Sequence, residues 1–309
     1  MEIKNIFKNR NRKIENGAKV QNTLSNSEYR YERIKNLIKD ADAIIVGAGA
    51  GLSTAAGLEY GGERFESNFK EFINKYGMTD MYSAAFYPFK TQEEKWSYWS
   101  NHILMNRYEF KENGTYKNLK DLIKDKDYFV LTTNGDHLFY KAGFDSNRIF
   151  ATQGDYGLLQ CAKACHDKLY DNEHIVYEMI EKQKDLKIPS ELIPKCPVCG
   201  GDMEVNLRKD NYFIQDENWD IEYKNYENFL SKHKEDKVLF IELGVGMNTP
   251  VIIKYPFWRM TNSWPNATYI CINKGAAYVP NEIKDKSICI DEDIKVVMEE
   301  MSEVKKGEE

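Results

Sequence analysis

The sequence predicts an α/β protein: a Rossmann-like, doubly wound parallel sheet of about six strands with a second, small domain. Three observations carry that prediction. Six short apolar runs of strand length are spread along the chain, several are separated by stretches with helical spacing, and one ends in a glycine-rich turn that opens a small-residue helix. The first run is Ala43–Val46, followed by G-A-G-A-G-L-S. The others are Tyr128–Thr132, Arg148–Ala151, Val238–Leu243, Thr268–Ile272 and Ser287–Ile290.

The remaining segments take their places around these runs. Residues 1–27 are polar and irregular and read as an N-terminal arm. Ser27–Asp40 carries Ile34, Leu37 and Ile38 at helical spacing. Glu63–Tyr76 and the aromatic-rich Gln92–Phe110 read as helices, which makes residues 61–111 a helical module; Lys117–Lys124 is a further helix. Residues 28–60, 112–157 and 236–300 together form a discontinuous Rossmann-like nucleotide-binding domain. The span 158–235 breaks the strand rhythm: it holds two cysteine pairs, a charged helix at Glu173–Lys187 and no clear parallel strand. It reads as a zinc-ribbon small domain inserted in the sheet. Residues 301–309 end in E-V-K-K-G-E-E, the composition of a disordered tail.

Bulk composition narrows the function classes. A chain of 309 residues allows one large domain or two modest ones, and 42% hydrophobic with 13% aromatic content supplies an ample core. The net charge of -6 speaks against a general nucleic-acid binder, which needs a basic face for phosphates. No apolar run approaches the roughly 20 residues of a membrane span. The basic start M-E-I-K-N-I-F-K lacks the apolar stretch and cleavage site of a secretory signal. A cytoplasmic protein without membrane or nucleic-acid partners is expected.

Cysteine usage fits a reducing compartment. Cys271 and Cys289 lie inside apolar runs, as packing residues do. Cys161 and Cys165 form one close pair, Cys196 and Cys199 another, with residues 166–195 between them. Two such pairs suit a tetrahedral structural zinc whose four thiolates leave no position for water. His166 adjoins Cys165 as a possible ligand or a surface histidine.

The turn V-G-A-G-A-G-L-S admits two readings. Glycines let a backbone approach a phosphate, and the following helix points its amides at the anion. A tight strand-to-helix turn needs small residues for packing alone. An ordinary dehydrogenase is not expected. The acidic residue that should end a second strand about 20 residues on falls within helical F-E-S-N-F-K-E-F, and the final glycine of G-x-G-x-x-G is missing. Other strand ends are also polar or small: L-T-T-N-G-D after Tyr128–Val130, G-V-G-M-N-T-P after Val238–Leu243, N-K-G-A-A after Thr268–Ile272. Several such loops on one sheet point to a shared crevice.

In this order the pieces resemble the sirtuin family. G-A-G-L-S-T-A-A-G-L at Gly49–Leu58 is similar to its first cofactor motif and T-T-N-G-D-H-L-F-Y-K-A-G at Thr132–Gly143 to its T-x-N-x-D motif. The cysteine pairs match its zinc ribbon, and Ile272-Asn273 matches its adenosine-side I-N. The resemblance covers roughly residues 28–300. It implies NAD as co-substrate beside a structural zinc. By the same resemblance the amides of Gly49, Ala50 and Gly51 hold the pyrophosphate, Asn134 orients the ribose and its waters, Asp136 holds the nicotinamide carboxamide, and Asn273 faces the adenosine ribose. The implied cofactor set extends to Ser53, Leu58, Thr133, Gly244, Gly246, Asn248, Lys274 and Asp291.

Departures from the family pattern select a branch. The usual P-D-F-R is E-Y-G-G-E-R-F here, with Arg64 and Phe65 as stand-ins over the cofactor; the usual G-T-S is G-V-G at Gly244–Gly246. The family's catalytic histidine falls on Gln153, in R-I-F-A-T-Q-G-D-Y-G, a short strand running into a glycine-rich turn. This set resembles the macrodomain-linked, class M, branch. The resemblance implies protein mono-ADP-ribosylation of a lipoylated carrier protein similar to the glycine-cleavage H protein, opposed by a macrodomain hydrolase. Glutamine cannot relay a proton as histidine does, so deacylation loses its base while transfer of ADP-ribose needs none at this position. Arg208, in N-L-R-K-D after the ribbon, is expected to place the acceptor or the cofactor phosphates. Asn134, Gln153 and Arg208 are thus the expected catalytic set. A lysine deacylase with another base, and a catalytically silent NAD sensor, are the alternatives.

Overall fold

Among the described residues, which are 26–247 and 250–303 of this computed structural model, nine strands form two sheets. The strands are β1 Ala43–Ala48, β2 Asp127–Thr132, β3 Ile149–Ala151, β4 Gly154–Cys161, β5 Tyr170–Asp171, β6 Met203–Leu207, β7 Val238–Leu243, β8 Thr268–Ile272 and β9 Ser287–Ile290. The larger sheet runs β3-β2-β1-β7-β8-β9, and every pair in it is parallel. The chain winds outward from β1 to β3, returns to β7 beside β1, and winds outward again to β9. This is the doubly wound order. The direction reverses between β1 and β7, the point beyond whose carboxyl ends doubly wound sheets hold their ligands.

The apolar runs follow from burial on both faces. β1 and β7 are buried at every position, so neither can alternate apolar with polar residues. On one face Ile44, Val46, Val130 and Ile241 pack with Ile34, Leu119 and Met298 of the helices Asn26–Asp40, Thr115–Ile123 and Ile294–Glu303. On the other, Ile45, Phe129 and Phe240 pack with Tyr226 and Phe257 of Glu217–His233 and Lys254–Ser263.

The smaller sheet runs β5-β4-β6 and is antiparallel. Its apolar face shares one core with the helical module: Phe65, Phe69, Trp96 and Tyr98 pack with Tyr156, Leu159, Val176 and Met203. Helix Gln92–Ile103 starts where Thr91 accepts from the Glu94 amide at 3.3 Å, with Glu93 and Glu94 in its first turn. It then widens into a π-helical turn, Leu104–Tyr108.

Several expected boundaries move. The glycine-rich turn after β3 shrinks to Thr152 and Gln153, because Gly154 already begins β4. Gly154 is required by strand pairing: its φ is +93°, and a Cβ there would lie 1.9 Å from the Asn206 carbonyl oxygen. The span 158–235 divides. Helix Glu217–His233 leaves the small domain and covers the large sheet, with Trp219 edge-on to Phe150 at 5.0 Å and Tyr226 against Phe129 at 5.5 Å. The charged helix stops at Lys182, and Lys184 and Lys187 instead pair as an isolated bridge. The helix over Glu63–Tyr76 breaks into Gly62–Asn68 and Lys70–Tyr76. Asn26 and Ser27 belong to the first helix; the rest of the expected arm lies outside the described residues. Helix Ile294–Glu303 enters the segment expected as a tail, whose remainder is likewise outside them.

Candidate active site

Two glycine loops interlock at the point where the sheet reverses. Gly49 donates its amide to the Leu243 carbonyl and Gly51 to the Gly244 carbonyl, each at 3.0 Å. A Cβ on Gly49 would sit 2.7 Å from the Gly244 oxygen, and one on Gly51 2.7 Å from the Gly244 Cα. Gly244 has φ +61°, and its own Cβ would meet Gly51 backbone at 2.5 Å. Backbone-to-backbone packing therefore demands these three glycines, which is the second of the two readings of the turn. Ala50, exposed, opens the short helix Ala50–Ala55 on the crevice side. Gly246 is exposed with open space around it, and Asn248 lies outside the described residues. Below this loop, fully buried Glu242 accepts from Lys254 and Tyr269, an ion pair that anchors the first turn of helix Lys254–Ser263 to β7.

The end of β2 supplies the polar centre. Thr132 Oγ1 donates to the Ala48 carbonyl at 3.1 Å and accepts from the Asn134 amide at 3.1 Å, which turns the chain back toward β1. The Thr133 amide donates to the same carbonyl at 3.1 Å. Asn134 Nδ2 donates to the Gly49 carbonyl and to Ser53 Oγ, both at 2.9 Å. Ser53 Oγ donates to Asp136 Oδ2 at 2.5 Å and lies 3.0 Å from the buried Tyr116 hydroxyl. Asp136 is buried; its other oxygen accepts from the Leu138 amide at 3.0 Å. Burial raises its pKa, against the opposing hydrogen bonds from Ser53 and Leu138. Ser53, Asn134 and Asp136, expected together, do meet here. Tyr116 was not anticipated, since a tyrosine in an amphipathic helix carries no polar signature in the sequence.

Gln153 sits at the crossover from the large sheet to the small one. Its carbonyl accepts from the Arg208 amide at 3.0 Å, so two of the three expected catalytic residues are joined through the backbone. Its carboxamide has no hydrogen-bond partner among the described residues. The Arg208 guanidinium lies 4.5 Å from the Phe213 ring centroid and 5.8 Å from that of Trp219. The Trp219 indole in turn donates to the Thr152 carbonyl at 3.4 Å. Arg208 is thereby held at the foot of the Gln153 turn by aromatic faces.

Other expected cofactor positions have different tasks. Leu58 is a core residue of the large domain, and Phe65 is 1% exposed and stacked on Phe69 at 5.4 Å in the small-domain core. Both side chains are committed to core packing, which corrects the expectation that they line the cofactor. Arg64 donates to the Glu59 and Met105 carbonyls at 2.9 and 3.0 Å and lies over Phe110, which makes it a brace of the replaced loop. Asn273 donates to the Val245 carbonyl at 3.1 Å, which ties the β8 loop to the glycine loop. Asp291 accepts from the Gly275 amide and fixes the same loop from β9, while Lys274 is exposed.

The four cysteines of the small domain converge. Sγ atoms of Cys161 and Cys199 are 3.7 Å apart, those of Cys165 and Cys196 3.6 Å, and all four lie within 4.8 Å of one another. Four thiolates about 2.3 Å from a central zinc stand about 3.8 Å apart, so the set fits that ion and is far too open for disulfides. His166 stays outside the set: its Nδ1 is 3.1 Å from Cys165 Sγ, and its Nε2 pairs with the Tyr170 hydroxyl at 2.9 Å.

A doubly wound sheet whose switch point carries interlocked glycine loops and a buried Ser-Asn-Asp cluster, with a four-thiolate ribbon beside it, defines a dinucleotide-binding enzyme of the sirtuin architecture. Residues 49–241 match the model of the Sir2 family, and the chain belongs to that family. It is 40% identical over 268 residues to a Protein ADP-ribosyltransferase of Staphylococcus aureus strain Mu50, covering 86% of this chain and 85% of that protein. It is 32% identical over 271 residues to a Probable bifunctional ADP-ribose hydrolase/ADP-ribosyltransferase of Fusarium oxysporum f. sp. cubense; the match covers 83% of this chain and 45% of the fungal one. Among solved structures, a Sir2 enzyme bound to a propionylated peptide superposes with a TM-score of 0.56 at 16% identity, covering 90% of this chain and 99% of that one. That likeness is one of fold.

Proposed function

We propose that this chain is an NAD-dependent protein mono-ADP-ribosyltransferase. The observation that carries the reading is the amide at position 153 together with the commitment of four of the five histidines to burial or to other partners. His102 is buried in the helical module and held neutral, its pKa lowered to about 3 chiefly by burial. His137 is bonded to Asp155, His166 to Tyr170, and His233 to Asp127 and Asp236; His174 is exposed on the helix Glu173–Lys182. No imidazole remains to activate a ribose hydroxyl beside Asn134, and general-base assistance is worth about 10²–10⁴-fold. The names of the two relatives described above support transfer. NAD supplies an ADP-ribosyl group with nicotinamide as leaving group. Asn134 orients the ribose, Asp136 takes the carboxamide, and the crevice excludes the water that would compete with the acceptor. Gln153 grips the ribose hydroxyls without moving a proton, and Arg208 steadies the turn that carries it.

The acceptor in this reading is a lipoylated, glycine-cleavage-H-like carrier protein in the cytoplasm, with a macrodomain hydrolase as the opposing enzyme. The fungal relative, whose name joins an ADP-ribose hydrolase to the transferase, supports such an opposition. The test incubates the zinc-loaded protein with labelled NAD and the lipoylated carrier. Label on the carrier is expected, falling about a hundredfold in Gln153→Ala through loss of ribose positioning. Gln153→His is expected to gain little deacetylation of an acyl-lysine peptide. An unlabelled carrier together with robust peptide deacetylation by the wild-type protein would establish the deacylase alternative instead.

A further inference from the structure

One half-buried carboxylate joins three parts of the molecule that the sequence keeps far apart. Asp155 stands at the start of β4, two residues after Gln153. Its Oδ1 accepts from Arg107 Nε at 2.6 Å and from the Gly157 amide at 2.6 Å; its Oδ2 pairs with His137 Nδ1 at 2.6 Å. Arg107 comes from the π-helical turn of the helical module, and His137 from the loop that carries Asn134 and Asp136. The Asp155 side chain is 16% exposed.

Each partner is shaped for this meeting. His137 is a non-glycine residue with φ +67°, a left-handed conformation that a large side chain adopts only when its surroundings impose it. Its ring stacks on Tyr140 at 4.1 Å. The π turn adds a residue to the helix and re-aims Arg107, and such turns concentrate at functional sites. Gly157 leaves room for the guanidinium, since a Cβ there would lie 2.9 Å from Arg107 Nε. The backbone completes the junction, with the Tyr156 amide donating to the Gly135 carbonyl at 2.9 Å. Burial alone would raise the Asp155 pKa; His137 and Arg107 outweigh it and hold the group ionised.

We propose that Asp155 is a positioning residue for the transfer reaction, holding the Gln153 turn, the Asn134–His137 loop and the helical module in one geometry. The inference rests on the functional reading above for its catalytic consequence. Only Gly154 separates Gln153 from this junction's anchor, and Asn134 is three residues from His137. A loose junction would misplace both side chains against the ribose, and a misplacement of about 1 Å costs about a hundredfold in rate.

Asp155→Asn keeps the shape and removes the charge that Arg107 and His137 share. Nicotinamide release should fall about a hundredfold, with KM for NAD within about threefold of wild type. Amide exchange at Tyr156 and Gly157 should quicken by tenfold or more, while Ile241 and Ile270 in β7 and β8 stay protected. Arg107→Met should reproduce both effects and Arg107→Lys should recover part of each, which keeps the test usable if the aspartate variant folds poorly. Turnover within threefold of wild type in Asp155→Asn and Arg107→Met, or exchange that quickens evenly through β7 and β8, overturns the proposal. A wild-type protein that releases no nicotinamide removes the functional reading, and the exchange pattern then still decides the junction.

Discussion

At the scale of single residues, the protein places its titratable groups where burial and partners set their charge. Glu222, on the helix over the large sheet, accepts from the Ala151 amide at 3.1 Å and from the Tyr140 hydroxyl at 3.2 Å. Burial raises its pKa to about 7, against these two hydrogen bonds. A carboxyl whose folded pKa lies above its unfolded one destabilises the fold as pH rises. Between about pH 4.5 and 7 the unfolded chain loses this proton while the folded chain keeps it, and the loss is complete above pH 7. Glu222→Gln is neutral at every pH. It should raise Tm at pH 8 and change it little at pH 5, as thermal unfolding at the two pH values would show; an equal shift at both would mean that Glu222 carries no buried proton. None of this was legible in the sequence, where Glu222 is one acid among many in a charged helix. Asp155 escaped for a related reason, since its partners His137 and Arg107 stand 18 and 48 residues away in the chain. Ser53 and Asn134 could be singled out because each lies in a short motif that the resemblance to the family picks out, and the cysteines because each pair is close in the chain.

Elements were read best where burial on both faces forces an unbroken apolar run. β7, β8 and β9 fall at the expected residues, Val238–Leu243, Thr268–Ile272 and Ser287–Ile290. β4 was missed because G-D-Y-G-L-L-Q-C opens with glycines, and glycine in a strand marks a close approach as readily as a turn. The loops at the switch point teach the same lesson. Their glycines were attributed to a phosphate or to packing, and the geometry shows the β1 and β7 loops touching backbone to backbone. Gly244→Ala is therefore a test of an element and not of a side chain. It places a Cβ at 2.5 Å from Gly51 backbone and at a φ of +61°, so the loops must separate. A loss of about 1–3 kcal/mol in stability is expected, with NAD affinity in equilibrium titration falling at least tenfold. Unchanged affinity in a destabilised variant would show that the cofactor does not depend on the interlock.

The described residues form two units that meet where the large sheet reverses, and the cysteine cluster belongs to only one of them. Cys161 ends β4, Cys196 and Cys199 precede β6, and both strands carry the core shared with Trp96 and Trp99 of the helical module. The large sheet has its own two cores on either face, with Trp264 in one of them. A structural zinc contributes folding free energy outright, so its removal falls first on the small domain. β4 also begins at Gly154, directly after Gln153, and β6 ends at Leu207, directly before Arg208. Metal loss should thus loosen the two residues that the small sheet delivers to the crevice, while Asn134 and Asp136 remain on the large sheet. Treatment with a strong chelator should shift the fluorescence of Trp96 and Trp99 to the red, abolish nicotinamide release, and leave far-UV circular dichroism from the parallel sheet largely intact. Single Trp→Phe variants at each of the five tryptophans, Trp96, Trp99, Trp219, Trp258 and Trp264, assign the emission. Readdition of zinc should restore turnover, and a chelated protein with full turnover would show that the ribbon does not support the site.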